Sequence, residues 1–333
     1  MNDKEVIEYL ASAEARCHAP KRRSESSSIA IPFFDIAKIS GANYSVTPFG
    51  HKGHDNEDRA GFVGSFLQSA LAGTDPGIDA SGLYPFELHD SCSYLAPDSK
   101  EMREKYRGSL NFSKNTNHDH AVLVPDMYQM NGYSDLLRVR DKTPFRSKVN
   151  RVLFAGTTTG DKDPTKNARI QTCLWSTTSK IRDSLDLYIT NVAQMSVSDI
   201  HGAYPGDSRL QRIFKQPIPL QDHWKYKYVL NIEGNTCCWS RVPMIMASKS
   251  LMINLAHKDR SWYYPLMHHG RDFYNIDGVD ELESALQFCK NNEAWCEHVI
   301  SNANQFVESF LGRSQAIYYT TKLFEKMAAN KDF

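Results

Sequence analysis

Two apolar runs, each ending in a glycine-bearing turn, constrain this chain more than any other feature. Residues 149–155 (VNRVLFA) lead into Gly156-Thr157-Thr158-Thr159-Gly160, and residues 226–232 (YKYVLNI) lead into Glu233-Gly234-Asn235. Helical periodicity follows each: over 165–179, where Ile170 and Leu174 are four apart, and over 240–247. Short continuous apolar runs are what strands covered on both faces require, and strand, glycine turn and helix in that order imply a parallel sheet. Residues 185–190 and 250–255 read as further strands of the same α/β domain. A helix is expected over 280–291, capped by Asp280, with Leu282, Leu286 and Phe288 as its apolar positions. A long last helix over 292–327 is expected to break near Gly312.

The first half is less regular. Residues 14–28 are polar and serine-rich and read as loop, while 55–71 reads as an amphipathic helix with Phe62, Phe66 and Leu67 on one side. Residues 83–88 form a short strand candidate running into His89 and Asp90. A chain of 333 residues fits two domains at about 150 residues each. The expected division is an N-terminal domain over 1–140 and a C-terminal nucleotide-binding domain over 141–305. The helix over 306–333 is expected to pack back on the first domain.

Charge and cysteine usage exclude several classes. Lys plus Arg and Asp plus Glu are both 39, a balance that argues against a protein built to wrap nucleic acid. Apolar runs fall short of the roughly 18 residues that a membrane span needs. The first ten residues are polar where a signal peptide would be apolar. A soluble cytoplasmic protein is expected. The seven cysteines are odd in number and lack a short CxxC pair, which reads as free thiols rather than a disulfide scaffold or zinc site.

The glycine turns are the first candidates for chemistry. Gly156 allows a tight turn, and Thr157 to Thr159 offer hydroxyls and N–H groups to an anion. Ser240 and Arg241 lie in the first turn of the helix after Gly234, where a helix start and a guanidinium form a diphosphate clamp. The alternative for both is an ordinary αβ turn. Neither matches GxGxxG or GxxxxGK[ST], which leaves dinucleotide oxidoreductases and P-loop enzymes without support. Asp161-Lys162-Asp163 has the spacing of a pair holding a divalent cation, but such charged turns are common, and no metal site is assigned. His118, His120, His268 and His269 lack HExxH spacing, and GxSxG is absent. Trp262-Tyr263-Tyr264 cannot all share one face, so at least one meets ligand, the other domain or solvent; core packing is the alternative.

Taken in order, Asn111-Phe112-Ser113-Lys114, Val124-Pro125-Asp126, residues 154–160 (FAGTTTG), residues 227–234 (KYVLNIEG) and Trp239-Ser240-Arg241 resemble glycosyltransferase family 90. That family holds protein O-glucosyltransferases and capsule-associated xylosyltransferases, and the resemblance covers roughly 85–325. It implies a GT-B-like α/β fold, two Rossmann-like domains with an interdomain cleft. It also implies an inverting transfer from UDP-xylose or UDP-glucose to a glycan or glycoprotein hydroxyl, with no metal or other cofactor required. Arg241 and Ser240 carry over as diphosphate contacts, with Gly156, Thr157, Thr158, Arg169, Gly234 and Asn235 completing the donor site. Asp90 carries over as the catalytic base, with Asp75, Asp79 and Asp98 as competitors. Where the family has an arginine before the first glycine this chain has Ala155, so that contact is missing or supplied by Arg151 or Arg169. A bacterial or viral member is expected, acting in the cytoplasm of a bacterial cell or a virus-infected host cell. Two other functions compete: a catalytically silent nucleotide-sugar or glycan-binding relative, and a different nucleotide-dependent α/β enzyme.

Overall fold

The computed structural model describes residues 2–17, 35–40, 43–47, 54–78, 82–87, 108–115, 121–131, 140–256 and 258–329. The chain divides into two compact units. One comprises Met1–Ser134, Lys258–Pro265 and Glu308–Phe333, and the other Asp135–His257 with Leu266–Val307.

The first unit opens with helix α1 (Asp3–Cys17), which replaces the loop expected from residue 14 onward; residues 18–28 lie outside the described residues. A reciprocal cap starts it, with Glu5 N donating to Asn2 Oδ1 at 3.0 Å and Asn2 N to Glu5 Oε2 at 2.8 Å. Ile7, Leu10, Ala11 and Ala15 form its buried stripe, a pattern thin enough in large apolar residues to escape a sequence reading. Strands β1 (Asp35–Ser40) and β2 (Asn43–Thr47) pair antiparallel. Helix α2 (His54–Leu71) buries Val63, Phe66, Leu67 and Ala70, whereas Phe62 is 51% exposed. Phe62 is one residue, about 100° of helix rotation, off Val63 and outside the stripe.

Strand β3 (Gly82–Glu87) pairs antiparallel with β1, and β4 (Leu110–Asn111) pairs parallel with β3. Strand β5 (Lys114–Asn115) follows, and β6 (Val122–Leu123) completes a mixed sheet in the order β2-β1-β3-β4-β6. The short helix α3 (Met127–Met130) is capped by Asp126, whose carboxylate accepts from Tyr128 N and Gln129 N. Lys114 is wholly buried, with Nζ 2.6 Å from Glu14 Oε1 and 2.9 Å from Ala121 O, and Glu14 Oε1 also accepts from Leu123 N at 2.8 Å. One charge pair thereby ties α1 to β5 and β6.

The second unit begins with β7 (Val149–Thr157), then α4 (Ala168–Ser176), β8 (Leu185–Asn191), α5 (Val197–Ala203) and α6 (Leu210–Ile213). Strand β9 (Tyr226–Asn231), helix α7 (Arg241–Met246) and β10 (Leu251–Leu255) come next. At β11 (Asp259–Arg260) the chain is back in the first unit, paired antiparallel with β5. It then adds β12 (Tyr274–Ile276), α8 (Leu282–Asn291) and α9 (Glu293–Phe310). The sheet order is β12-β10-β9-β7-β8, with every pair parallel. Phe154, Ile189, Tyr228, Leu230 and Ile253 of the sheet pack with Ile170 and Leu174 of α4, Leu286 of α8 and Val299 of α9.

Two helix starts differ from expectation. Helix α4 begins at Ala168 rather than 165, because Asp163 draws Thr165 N into a turn and Asn167 supplies the cap to Ile170 N. Asp280 sits in a 3-10 turn, Val279–Glu281, and α8 starts at Leu282 with no side-chain cap. Phe288 is 39% exposed, its ring 5.0 Å from Trp295 rather than in the core.

The last helix, α10 (Arg313–Ala329), follows a break at Leu311 and Gly312 and packs on α1 and α2 in the first unit. Thr321 Oγ1 donates to Ala70 O at 2.7 Å, and Tyr319 OH to Leu123 O at 2.9 Å. Trp262 stacks on Tyr319 at 4.2 Å and donates to Gln129 Oε1 at 2.7 Å, and Tyr263 is 1% exposed. Core packing thus accounts for Trp262 and Tyr263, and Tyr264 packs edge-on to Tyr263. Removing one partner of a buried ion pair strands the other, so Glu14→Ala is expected to destabilise the first unit by about 3 kcal/mol. A urea-unfolding midpoint unchanged from wild type would contradict this.

Candidate functional site

Strand β7 is first in the second unit's sequence and lies inside its sheet, with β8 on one side and β9 on the other. The winding direction therefore reverses between β7 and β9, and open α/β sheets bind ligands beyond the carboxyl ends of the strands at such a reversal. Both glycine-bearing loops emerge there.

Arg169 in the first turn of α4 bridges them. Its Nε donates to Glu233 O at 2.9 Å and Ile232 O at 3.3 Å, and its Nη2 donates to Ile232 O at 3.0 Å and Cys238 Sγ at 3.4 Å. Its Nη1 donates to Thr157 O at 3.1 Å and to Thr159 Oγ1. All three nitrogens are occupied by protein. Asn167 aims α4 at the loop, its buried Nδ2 donating to Thr158 O at 2.8 Å and Asp161 O at 2.9 Å.

Arg241 is different. Its Nη2 donates to Ala155 O at 2.8 Å and its guanidinium lies 4.8 Å from the centre of the Phe154 ring, with that of Arg169 at 5.8 Å from the same ring. Among the described residues, Nε and Nη1 of Arg241 make no hydrogen bond, and neither guanidinium pairs with a carboxylate. Burial lowers the Arg241 pKa to about 10, the charge of Arg169 adding to the shift, so the group is charged at neutral pH. His223 is buried, and burial together with the Arg241 charge pushes its pKa down to about 4, leaving a neutral ring. Ser240 precedes α7 in helical conformation with no side-chain cap bond, and α7 has only six residues. A helix that short sums few peptide dipoles, so its N-terminus adds little beyond its own first-turn N–H groups.

The two glycines serve close approach rather than turning. Gly156 lies within β7, where a Cβ would sit 2.8 Å from Arg241 Nη2 and 3.0 Å from Phe154 Cζ. At Gly234 a Cβ would sit 2.7 Å from Thr159 Oγ1 and 3.0 Å from Arg169 Nη2. Gly160, with φ of +132°, is where the loop needs glycine backbone freedom. Its N–H donates to Asn235 Oδ1 at 3.0 Å and Gln194 Oε1 at 3.2 Å. Gln194 itself has a left-handed φ of 67°. Thr158 is buried, its Oγ1 donating to Ala193 O and accepting from Ala193 N, each at 2.8 Å. Thr157 Oγ1 lies 3.2 Å from Thr159 Oγ1.

The expected site residues thus separate. Gly156, Thr157, Thr158, Arg169, Gly234, Asn235, Ser240 and Arg241 share the carboxyl ends of β7 and β9, but Thr158, Arg169 and Asn235 have their polar atoms engaged within the protein. Arg151 donates to Leu185 O at 2.6 Å and pairs with Asp186 at 3.1 Å, at the start of β8 and away from these loops. It therefore does not replace an arginine at Ala155. Asp161 Oδ1 accepts from Asp163 N at 2.9 Å, and Asp163 Oδ1 accepts from Thr165 N at 2.9 Å, so both carboxylates close their own turn. Asp75 caps a turn in the first unit through Gly77 N at 2.8 Å. Asp90, Asp79, Asp98, His118 and His120 lie outside the described residues. His269 Nδ1 accepts from Asn275 N at 2.9 Å, and no group of three His, Cys, Asp or Glu suited to a metal occurs among the described residues. Sequence reasoning missed Phe154 as the ring beneath both cations, and also Gln194, Cys238 and His223. Phe154 and Cys238 lie in the two segments themselves, and packing brings Gln194 to Gly160 N.

The model of the family described as glycosyl transferase family 90 matches residues 112–332. The chain belongs to that family. Its viral relatives include uncharacterized protein 035R of Invertebrate iridescent virus 3, 23% identical over 188 residues, or 54% of this chain and 17% of that protein. Uncharacterized protein 179R of Invertebrate iridescent virus 6 is 23% identical over 118 residues, 33% of this chain and 10% of that protein. The match spans under a fifth of either relative's length. Among solved structures, the chain is similar to Anabaena Alr3699/HepE in complex with UDP-glucose (TM-score 0.46, 11% identity, 78% of this chain and 74% of that one). It is also similar to TarM, known from S. aureus (TM-score 0.40, 15% identity, 56% and 36%). No described helix is long and apolar enough to cross a membrane.

Because Arg169 is fully bonded where Gly234 faces it, Gly234→Ala is expected to cost about 1–3 kcal/mol of stability. Gly156→Ala is expected to cost a similar amount, because its Cβ would meet Arg241 Nη2 at 2.8 Å and the buried Phe154 ring at 3.0 Å. Gly202 lies in α5 with nothing within 4 Å of its added Cβ, so alanine there is expected to leave the urea-unfolding midpoint unchanged or raised, which makes it the control. Equal midpoints for all three alanine variants would contradict the close-approach account.

Proposed function

We propose that this chain transfers a sugar from UDP-xylose or UDP-glucose to a hydroxyl of a glycan or glycoprotein, inverting the anomeric carbon without a required metal. The observation that carries this reading is Arg241: a charged guanidinium at the reversal point of the sheet that, among the described residues, keeps unengaged N–H groups and has no carboxylate partner. Single displacement at C1 builds negative charge on the departing diphosphate, and a preformed cation there stabilises the transition state more than the ground state. Ser240, whose hydroxyl makes no hydrogen bond among the described residues, is the natural second donor. Arg169 adds charge without a free N–H, and the carboxylates of Asp161 and Asp163 are engaged in their own turn, which leaves neutralisation to Arg241. Asp90, on the family resemblance, takes the proton of the acceptor hydroxyl. Cys173, Cys237, Cys238, Cys289 and Cys296 carry thiols rather than disulfides, which suits a reducing compartment such as the cytoplasm of a bacterium or a virus-infected host cell.

Arg241→Ala is expected to weaken UDP binding by about 1.5–3 kcal/mol, the loss of charge-assisted contacts in a partly desolvated site. Isothermal calorimetry on the folded variant checks this, and unchanged affinity removes Arg241 from the donor site. Asp90→Asn is expected to lower kcat by about 10²–10⁴ with UDP affinity nearly unchanged, since the loss belongs to the transition state. Near-wild-type turnover, with chemistry limiting, would assign the base elsewhere. A panel of nucleotide-sugar donors with product analysis identifies the sugar, and absence of turnover with every donor that binds would favour a silent relative.

A further inference from the structure

We infer that Arg169 is a positioning residue that sets the place of Arg241, and that it takes no direct part in binding the donor. The inference rests on the nucleotide-sugar reading above. Its basis is the distribution of Arg169 contacts along the chain that leads to Arg241. Nε and Nη2 hold the carbonyls of Ile232 and Glu233, where β9 ends, and Nη2 also reaches Cys238 Sγ, three residues before Arg241. Cys238 Sγ donates in turn to Ile232 O at 3.3 Å, and Cys238 O accepts from Val242 N at 3.2 Å in the first turn of α7. The loop is thus pinned at its departure from the strand and at its entry into the helix by one planar group. On the far side, Nη1 binds Thr157 O, two residues after the Ala155 carbonyl that receives Arg241 Nη2. The distance between β7 and the start of α7 is spanned by the Arg169 fork.

Lysine cannot reproduce this, because an ammonium on a single stem has no rigid fork to hold acceptors on two loops. Arg169→Lys therefore keeps the charge and removes the geometry. Gly234 belongs to the same device, since a Cβ there would occupy the space of Arg169 Nη2.

A double-mutant cycle read by UDP titration calorimetry tests the inference, using wild type, Arg169→Lys, Arg241→Ala and the double variant. If Arg169 acts through Arg241, Arg169→Lys weakens UDP binding by about 10-fold in the wild-type background and by less than about 2-fold once Arg241 is alanine. Equal loss in both backgrounds means that Arg169 acts on the nucleotide independently, and no loss means that its contacts do not set Arg241; either result overturns the inference. Wild-type protein that does not bind UDP overturns the nucleotide-sugar reading itself and the inference with it. Should Arg169→Lys fail to fold by circular dichroism, Thr159→Val takes its place in the cycle, removing one acceptor of the fork. It is expected to give a smaller loss that also vanishes beside Arg241→Ala, and an additive loss would overturn the inference.

Discussion

Two guanidinium groups lie over one phenylalanine ring at the carboxyl ends of β7 and β9, and the order of the second unit depends on how their charge is accommodated. Like charges this close repel, and neither has a carboxylate partner among the described residues. Arg169 is accommodated by backbone: carbonyl oxygens at the ends of both strands point at it, so its charge holds the loops together. Arg241 is accommodated less completely, with one carbonyl and one ring face. A cation left with unengaged donors in a partly buried place would meet an anion at little further desolvation cost, which is the basis of the donor site proposed above. The glycines on either side are the steric condition for that arrangement.

The first unit shows a different use of the motifs. Asn111, Phe112, Ser113 and Lys114 are all buried, with Asn111 bonded to Ser109, Phe112 packed 5.4 Å from Phe86 and Lys114 paired with Glu14. Asp126 caps α3, whose Gln129 receives the indole of Trp262. These residues carry the family resemblance, yet their work is to assemble a small mixed sheet and to seat α10 and the 258–265 segment on it.

Strands β7, β8, β9 and β10 were legible from the sequence, because a strand covered on both faces must be apolar at nearly every position, whereas the short, half-buried edge strand β12 was not. Val152 to Ala155 and Tyr228 to Asn231 meet that demand. Helix ends were less legible: Asp280 has the right identity for a cap, but the backbone there takes a 3-10 turn, and Asp163 diverts Thr165 into a turn before α4. Helix α1 was not legible, since half of its buried stripe is alanine and its partners in α10 lie at the other end of the chain.

For the candidate site, local sequence determined which residues stand near the strand ends, because Gly156 lies in β7, Gly234 lies just past β9, and Arg169 and Arg241 stand at the start of the helices that follow. It did not determine their roles. Arg169 and Arg241 each lie in the first turn of a helix that follows a glycine-bearing loop, and only tertiary structure decides that Arg169 meets protein acceptors at all three nitrogens while Arg241 keeps two unengaged among the described residues. The acceptors are carbonyls of Ile232, Glu233 and Thr157, whose directions follow from the strand order β12-β10-β9-β7-β8. Every peptide carries such a carbonyl, so no side-chain pattern distinguishes the ones that folding turns toward a cation.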